Sequence, residues 1–318
     1  MTKVLVVIPA QEEHRAKLEA AAPEFEFVYS TPKDATEEMI AEANIIIGNV
    51  PAGKIKASEN LQLLQLNSAG TDAYIVPGVL AKGTLLANAT GAYSKAVAEH
   101  LFIMGLAMQK KLHLYRDNQA RSAWEDEGLV TSIADSTVLV VGLGDIGTHF
   151  ARMAKALGAH TIGIKRRASE PVEGVDELYL TDELDNVLPR ADIIASFLPG
   201  TGATAGIYSA QRLALMKDTA ILLNGGRGNA IDTDALYEAL KNKKLFGAGL
   251  DVTNPEPLPE DHPLWKLDNV WITPHISGGF HLKETFERIV NIAAKNLSHM
   301  AKGEPIDNEV DFETGYRK

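Results

Sequence analysis

Three residues of this 318-residue chain have the types and settings that proton transfer and anion binding require. His275 follows the apolar run Val270-Trp-Ile-Thr273 and Pro274, and precedes Ser277-Gly-Gly279. That places it just beyond the carboxyl end of a parallel strand, where open α/β sheets build ligand sites. A second such end, Leu222-Leu223-Asn224-Gly225-Gly226-Arg227-Gly228, puts an arginine on a glycine-rich loop. A third, Gly249-Leu250-Asp251-Val-Thr-Asn-Pro255-Glu256-Pro257, puts a carboxylate in a rigid turn. Ends of three strands of one sheet would converge on a cleft. There His275 would exchange a proton with a substrate oxygen, and Glu256 would favour the imidazolium and fix its tautomer. Arg227 would hold a carboxylate and polarise a carbonyl. Each residue alone is more often structural; their joint spacing is the specific signal. Of the other histidines, His14, His113, His149, His160 and His299 read as solvated helix or polar positions, and His100, beside Glu99, stays ambiguous. No HExxH-type spacing occurs, so no metal site is expected.

A cofactor site is written upstream. Val138-Leu-Val-Val-Gly142-Leu-Gly144-Asp145-Ile146-Gly147 follows a strand, opens an amphipathic helix and begins a second strand–helix series, the context in which GxGxxG binds a dinucleotide. Gly142 permits the tight turn, Gly144 lets the backbone approach a pyrophosphate, and Gly147 lets helix and strand pack closely. The Asp145 and Ile146 amides and the helix dipole favour the diphosphate. About 20 residues on, NAD-binding strands end in a carboxylate for the ribose 2′-hydroxyl. Here the chain reads Lys165-Arg166-Arg167. A 2′-phosphate pairs with a guanidinium fork, so NADP is favoured, with NAD as the alternative.

The elements that must position these residues alternate regularly. Short apolar runs at 4–8, 25–29, 45–47, 61–66 and 85–87 read as strands, with helices at 12–21 and 35–41. Strands at 138–141, 161–164, 193–196, 220–223, 247–250 and 270–272 form the second series. The expectation is an α/β fold of two doubly wound parallel-sheet domains, Rossmann-like or flavodoxin-like, with a cleft between them. One long helix over 94–114, capped by Ser94, joins the two series, and 118–135 reads as an exposed arm. The helix at 283–301, ending at Gly303, is expected to cross back to the first unit. Residues 1–93 with 283–318 would then form the substrate-binding domain, and 94–282 the dinucleotide-binding domain.

Composition narrows the function classes. Apolar residues make up 45% and charged residues 23%, which are globular values. Cysteine is absent, which removes disulfides and thiolate chemistry. A net charge of −11 opposes nucleic-acid and membrane-surface binding. The first apolar run is too short for a signal or a span, so the chain reads as cytoplasmic.

The segments Asn224-Gly-Gly-Arg227-Gly, Leu250-Asp251…Pro255-Glu256-Pro257 and Thr273-Pro274-His275-Ile276-Ser277 together resemble the signatures of the D-isomer-specific 2-hydroxyacid dehydrogenases. Val97-Ala-Glu-His100 and Gly303-Glu-Pro-Ile-Asp-Asn308 match that family as well. The resemblance implies substrate-binding, tuning and acid–base roles for Arg227, Glu256 and His275, and it places Asp251 on the nicotinamide side. It implies that Ala69 and Gly70, in Asn67-Ser-Ala-Gly70-Thr-Asp72, bind the substrate carboxylate through their amides. It sets Leu198, Pro199, Thr204 and Gly225 beside the cofactor. The cations at 165–167 bring the chain closer to NADP-using glyoxylate and hydroxypyruvate reductases. Phosphoglycerate dehydrogenases often carry an extra regulatory domain, and formate dehydrogenases of this superfamily pair the histidine with glutamine where Glu256 stands here. A dinucleotide-sensing scaffold or corepressor without turnover is the alternative from another class. The connector through 135 resembles the segment that builds the family's two-fold dimer, so a homodimer is expected. Tyr74, Trp124 and Trp265 each read equally well as pocket lining and as core or interface.

Overall fold

The computed structural model describes residues 1–55, 58–167, 170–313, 315 and 317–318. The chain divides into two compact units, residues 1–93 with 280–318, and residues 94–279.

The first unit is a five-stranded parallel sheet of β1 (Lys3–Val6), β2 (Glu26–Tyr29), β3 (Ile45–Ile47), β4 (Leu63–Gln65) and β5 (Leu85–Ala87), in the order β2-β1-β3-β4-β5. This is the flavodoxin-like order of a doubly wound sheet. The period of two along β1 decides which residues meet which layer. Val4 and Val6 face one core with Leu18, Phe286, Val290 and Leu297, whereas Leu5 and Val7 face another with Ile40, Ile55 and Tyr74. The helix Lys283–Lys302 closes the first layer against the helix Glu12–Ala21, and Gly303 ends it in the left-handed region at φ 69°. His14, expected to be solvated, is buried at this helix pair. Its Nδ1 accepts the Gln11 N–H at 3.1 Å, its Nε2 lies 3.2 Å from Glu287, and its ring meets Phe286 edge-on.

The second unit is a seven-stranded parallel sheet. Its strands are β6 (Thr137–Val141), β7 (His160–Lys165), β8 (Glu177–Leu180), β9 (Ile193–Ser196), β10 (Ile221–Asn224), β11 (Gly247–Leu250) and β12 (Val270–Ile272). They lie in the order β12-β11-β10-β9-β6-β7-β8. The order reverses at β6, which makes the β6 end the switch point where dinucleotides bind in such sheets. Strands buried on both faces read as continuous apolar runs, and β9, β10 and β11 are buried throughout. β8 was not expected. All four of its residues are half-buried, so it lacks the apolar run that marks its neighbours.

The connector differs from the single helix expected over 94–114. A helix Ser94–Gln109 stops, Lys111 takes a left-handed φ of 54°, and a second helix runs over Leu112–Ala120. The first helix buries Val97, Leu101, Met104 and Met108 and packs on the second unit's sheet and on the helix Asp145–Ala156. No helix among the described residues is long and apolar enough to cross a membrane.

Candidate active site

Register brings the three chemistry-bearing loops to one sheet edge. Asn224 pairs with Leu250 across β10 and β11, and Leu250 pairs with Ile272 across β11 and β12. Three neighbouring strands therefore end level, and Arg227, Asp251 and His275 follow within three residues of those ends.

Asn224, fully buried, shapes the first loop. Its Oδ1 accepts the Gly226 N–H at 3.1 Å and its Nδ2 donates to the Arg227 carbonyl at 3.0 Å. Gly228 then lies so close to the second loop that a Cβ there would stand 1.8 Å from the Thr253 carbonyl oxygen. Only glycine lets the arginine-bearing and glutamate-bearing loops touch. Arg227 itself is half-buried and donates from Nη1 to the Gly226 carbonyl at 2.9 Å. The second loop is held by Thr233, whose hydroxyl donates to the Asn254 carbonyl at 2.6 Å, and by Thr253 Oγ1 to the Pro255 carbonyl at 2.9 Å.

Glu256 and His275 meet directly. Glu256 Oε1 lies 2.6 Å from His275 Nδ1, and both side chains are exposed. An ionised carboxylate only accepts, so Nδ1 carries the proton and donates it. In the neutral imidazole that leaves Nε2 as the unprotonated nitrogen, an acceptor, and a donor once the ring is charged. His275 sits at φ 52°, a conformation uncommon outside glycine. Its amide donates to the Asp251 carbonyl at 2.8 Å and the Thr273 carbonyl at 3.0 Å, which over-determines the strained residue.

The glycine motif has the shape a dinucleotide diphosphate needs. Gly142 turns at φ 97°, and Gly144 is the N-cap of the twelve-residue helix Asp145–Ala156. A Cβ at Gly144 would meet nothing within 4 Å, so the helix N-terminus is open to approach. At Gly147 a Cβ would fall 2.2 Å from the Gly142 carbonyl oxygen, so strand and helix close only around glycine there. Open donors at a helix N-terminus are an anion site, and these residues fit the cofactor. Lys165 is the last residue of β7, and Arg166 and Arg167 follow it exposed. Leu198 is buried in the unit's core, and the Thr204 hydroxyl is spent inside its own loop, accepting from the Thr201 amide at 3.0 Å and donating to the Pro199 carbonyl at 2.5 Å. Leu198, Pro199 and Thr204 thus belong to a loop hydrogen-bonded within itself. Gly225 leaves room for Leu101, whose Cδ2 would lie 2.8 Å from a Cβ.

In the first unit the loop after β4 carries Ala69 and Gly70. Four successive carbonyls in it are occupied from within that unit. Asn67 takes the Tyr93 hydroxyl, Ser68 the Ala89 amide at 2.9 Å, Ala69 the Asn88 Nδ2 at 2.9 Å, and Gly70 the Ser68 hydroxyl at 2.8 Å. Burial pushes the Tyr93 phenol well up, so it remains a donor. Among the described residues the Ala69 and Gly70 amides donate to no protein acceptor. Tyr74 is core, its hydroxyl on the Val50 carbonyl at 3.0 Å and its ionisation pushed up to about 12 by burial. Trp124 is fully exposed and Trp265 half-exposed, its Nε1 donating to the Pro259 carbonyl.

Among the described residues one group of side chains has the closeness of metal ligands, Glu13, His14 and Glu287 in the first unit. Because His14 Nδ1 accepts the Gln11 amide, its proton sits on Nε2, the nitrogen a metal would need. The His14 hydrogen bond holds the Glu287 carboxyl below its usual range, which accounts for the group as a helix–helix tie.

Asn224 and Thr273 also work through their side chains, and both stand inside the motifs without a spacing that marks them. An Asn just before Gly-Gly at a strand end is the readable sign of a side chain closing a turn.

Residues 102–277 match the family described as D-isomer specific 2-hydroxyacid dehydrogenase, NAD binding domain. An uncharacterized protein of Corynebacterium melassecola is 37% identical over 88% of this chain and 92% of its own length. A glyoxylate reductase of Thermofilum pendens is 32% identical over 82% of this chain and 78% of its own. Among solved structures, a D-isomer specific 2-hydroxyacid dehydrogenase family protein from Aeromonas salmonicida superposes with a TM-score of 0.86 at 31% identity, covering 98% of this chain and 99% of that one. A D-isomer specific 2-hydroxyacid dehydrogenase from Xanthobacter autotrophicus, solved with NADPH and MES, gives 0.84 at 26% identity, covering 99% of each.

Proposed function

The chain belongs to the D-isomer specific 2-hydroxyacid dehydrogenases, a family of NAD(P)-dependent enzymes, and from that premise we propose that it reduces a small 2-keto acid to the D-2-hydroxy acid, with NADPH preferred. The observation that carries this reading is the 2.6 Å Glu256–His275 pair beside the end of β12, which leaves Nε2 as the nitrogen for proton exchange. A glyoxylate- or hydroxypyruvate-type substrate is favoured, in line with the glyoxylate reductase relative.

Hydride is what the bound nicotinamide supplies; proton, charge and position fall to the chain. Protonated His275 gives its Nε2 proton to the substrate oxygen, and Glu256 stabilises the imidazolium beforehand and keeps the ring oriented. The Arg227 guanidinium holds the substrate carboxylate and polarises the carbonyl. The Ala69 and Gly70 amides, whose carbonyls are occupied elsewhere, offer further donors to that carboxylate. The diphosphate is held at Gly144, Asp145 and Ile146, and the 2′-phosphate by Arg166 with Lys165 and Arg167.

We further propose a homodimer built on the connector. Its two helices and the arm behind them expose Ile103, Leu112, Trp124 and Leu129, apolar surface that a monomer would leave in water. The test of the activity is cofactor oxidation against a panel of 2-keto acids, with His275→Ala as control. Turnover by wild type, lost in the variant, is the expected result. A protein that binds NADPH and turns over no 2-keto acid would be the sensing scaffold instead.

A further inference from the structure

The turn that carries His275 hangs from one buried carboxylate. Asp251 is 2% exposed, one residue beyond β11. Its Oδ1 accepts from Thr273 Oγ1 at 2.6 Å and from the Ile276 amide at 3.0 Å. Its Oδ2 accepts from the Ser277 amide at 3.2 Å and from the Ser277 hydroxyl. Its backbone carbonyl takes the His275 amide. Residues 273, 275, 276 and 277 are thus tied to a single side chain and its peptide.

His100 completes this arrangement from another element. It stands on the helix Ser94–Gln109, and its Nε2 lies 3.0 Å from Thr273 Oγ1 and 3.8 Å from Asp251 Oδ1. The direction of the bonds follows from the inventory of donors. Thr273 has one hydroxyl proton, and a carboxylate 2.6 Å away, acceptor-only when ionised, claims it. The Thr273 oxygen must then be the acceptor toward His100, and His100 must be the Nε2–H tautomer. A continuous chain results, His100 to Thr273 to Asp251, with the Ile276 and Ser277 donors arriving from the other side.

We propose that His100 and Thr273 are positioning residues for the acid–base step: together they orient the Asp251 carboxylate, which in turn holds His275 in its left-handed conformation with Nδ1 on Glu256. The proposal rests on the reading of His275 given above. It assigns a task to His100, the histidine whose setting in the sequence is ambiguous. It also gives Asp251 a task other than contact with the nicotinamide, since its two oxygens accept four hydrogen bonds from the His275 turn. A displaced reacting group loses on the order of 100-fold per ångström, so slackening this turn acts on kcat.

Two readouts test it, one of them free of cofactor and substrate. In the unliganded protein the Ile276 and Ser277 amides exchange slowly with deuterium, and in Thr273→Val they exchange faster. In turnover Thr273→Val lowers kcat by roughly 10- to 100-fold with KM little changed, and Thr273→Ser, which keeps the hydroxyl, restores it. His100→Leu lowers kcat in the same direction by a smaller factor, and His100→Gln, whose amide N–H replaces Nε2–H, recovers most of it. Should Thr273→Val fail to fold, His100→Leu carries the same test with the Thr273–Asp251 bond in place. Unchanged amide exchange and unchanged kcat in both His100→Leu and Thr273→Val would overturn the proposal. So would a loss of kcat that Thr273→Ser does not rescue. Failure of the functional reading looks different: wild type would turn over no 2-keto acid, while the exchange experiment still reports on the network.

Discussion

His275 is the residue on which the chemistry turns. Removing its imidazole by His275→Ala should lower kcat by about 10²- to 10⁴-fold, the usual contribution of a positioned acid–base group, while NADPH binding stays near wild type. Stopped-flow turnover and cofactor titration check the two halves separately. Glu256→Gln should be milder in kcat, since the turn survives and only the charge beside Nδ1 is lost. The Glu256–His275 pairing was legible in the sequence because both residues stand a few positions beyond apolar runs, and strand ends of one parallel sheet come together. Their supporting residues were not. Whether Thr273 Oγ1 faces Asp251, or Asn224 turns back onto Gly226, depends on loop dihedrals such as the φ of 52° at His275, which no spacing encodes.

At the scale of elements, the end of β7 is expected to decide cofactor choice. Each charge-assisted hydrogen bond to a 2′-phosphate is worth about 1.5–3 kcal/mol. One or two of them at Lys165, Arg166 and Arg167 give a preference for NADPH over NADH of roughly 10- to 1,000-fold in kcat/KM. A Lys165→Asp, Arg166→Ala double variant should lose most of it through KM for NADPH. Equal kcat/KM for the two cofactors in wild type would show that these cations serve only the surface. The sheet edge beside them carries a second prediction. The Lys155 ammonium and the Thr161 amide hold Asp176 down at about 2, and the Arg190 guanidinium with Tyr179 and His160 holds Glu177 at about 2. Both carboxylates are depressed, so the stability they lend β8 is complete above their ordinary values near 4 and is lost as pH falls from there through 2. Solvent screening keeps the effect modest. Amide exchange at Glu177–Leu180 should accelerate over that window, and Asp176→Asn with Glu177→Gln should flatten the dependence. Element existence was largely legible because buried parallel strands write apolar runs. β8 escaped because an edge strand with no fully buried residue writes none. The helix break at Lys111, with its φ of 54°, escaped because a lysine carries no breaker signal.

For the whole molecule, the glycine motif and the alternating pattern were enough to expect two doubly wound parallel sheets, and both sheets are present. Assembly is less directly written. The arm carries Trp124 and Leu129 essentially fully exposed, apolar surface that a homodimer on this segment would cover. Sedimentation should give a dimer mass independent of concentration over the micromolar range, and Trp124→Glu with Leu129→Glu should shift it toward monomer. A wild-type monomer at every concentration would sink the isologous interface. The central claim, however, is the reaction. The measurement that reaches it most directly is incubation of wild type with NADPH and hydroxypyruvate, following cofactor oxidation and resolving the configuration of the glycerate formed at the new stereocentre. Steady NADPH consumption and D-glycerate are the expected result, both abolished in His275→Ala. Bound NADPH without consumption, or an L-configured product, would contradict it.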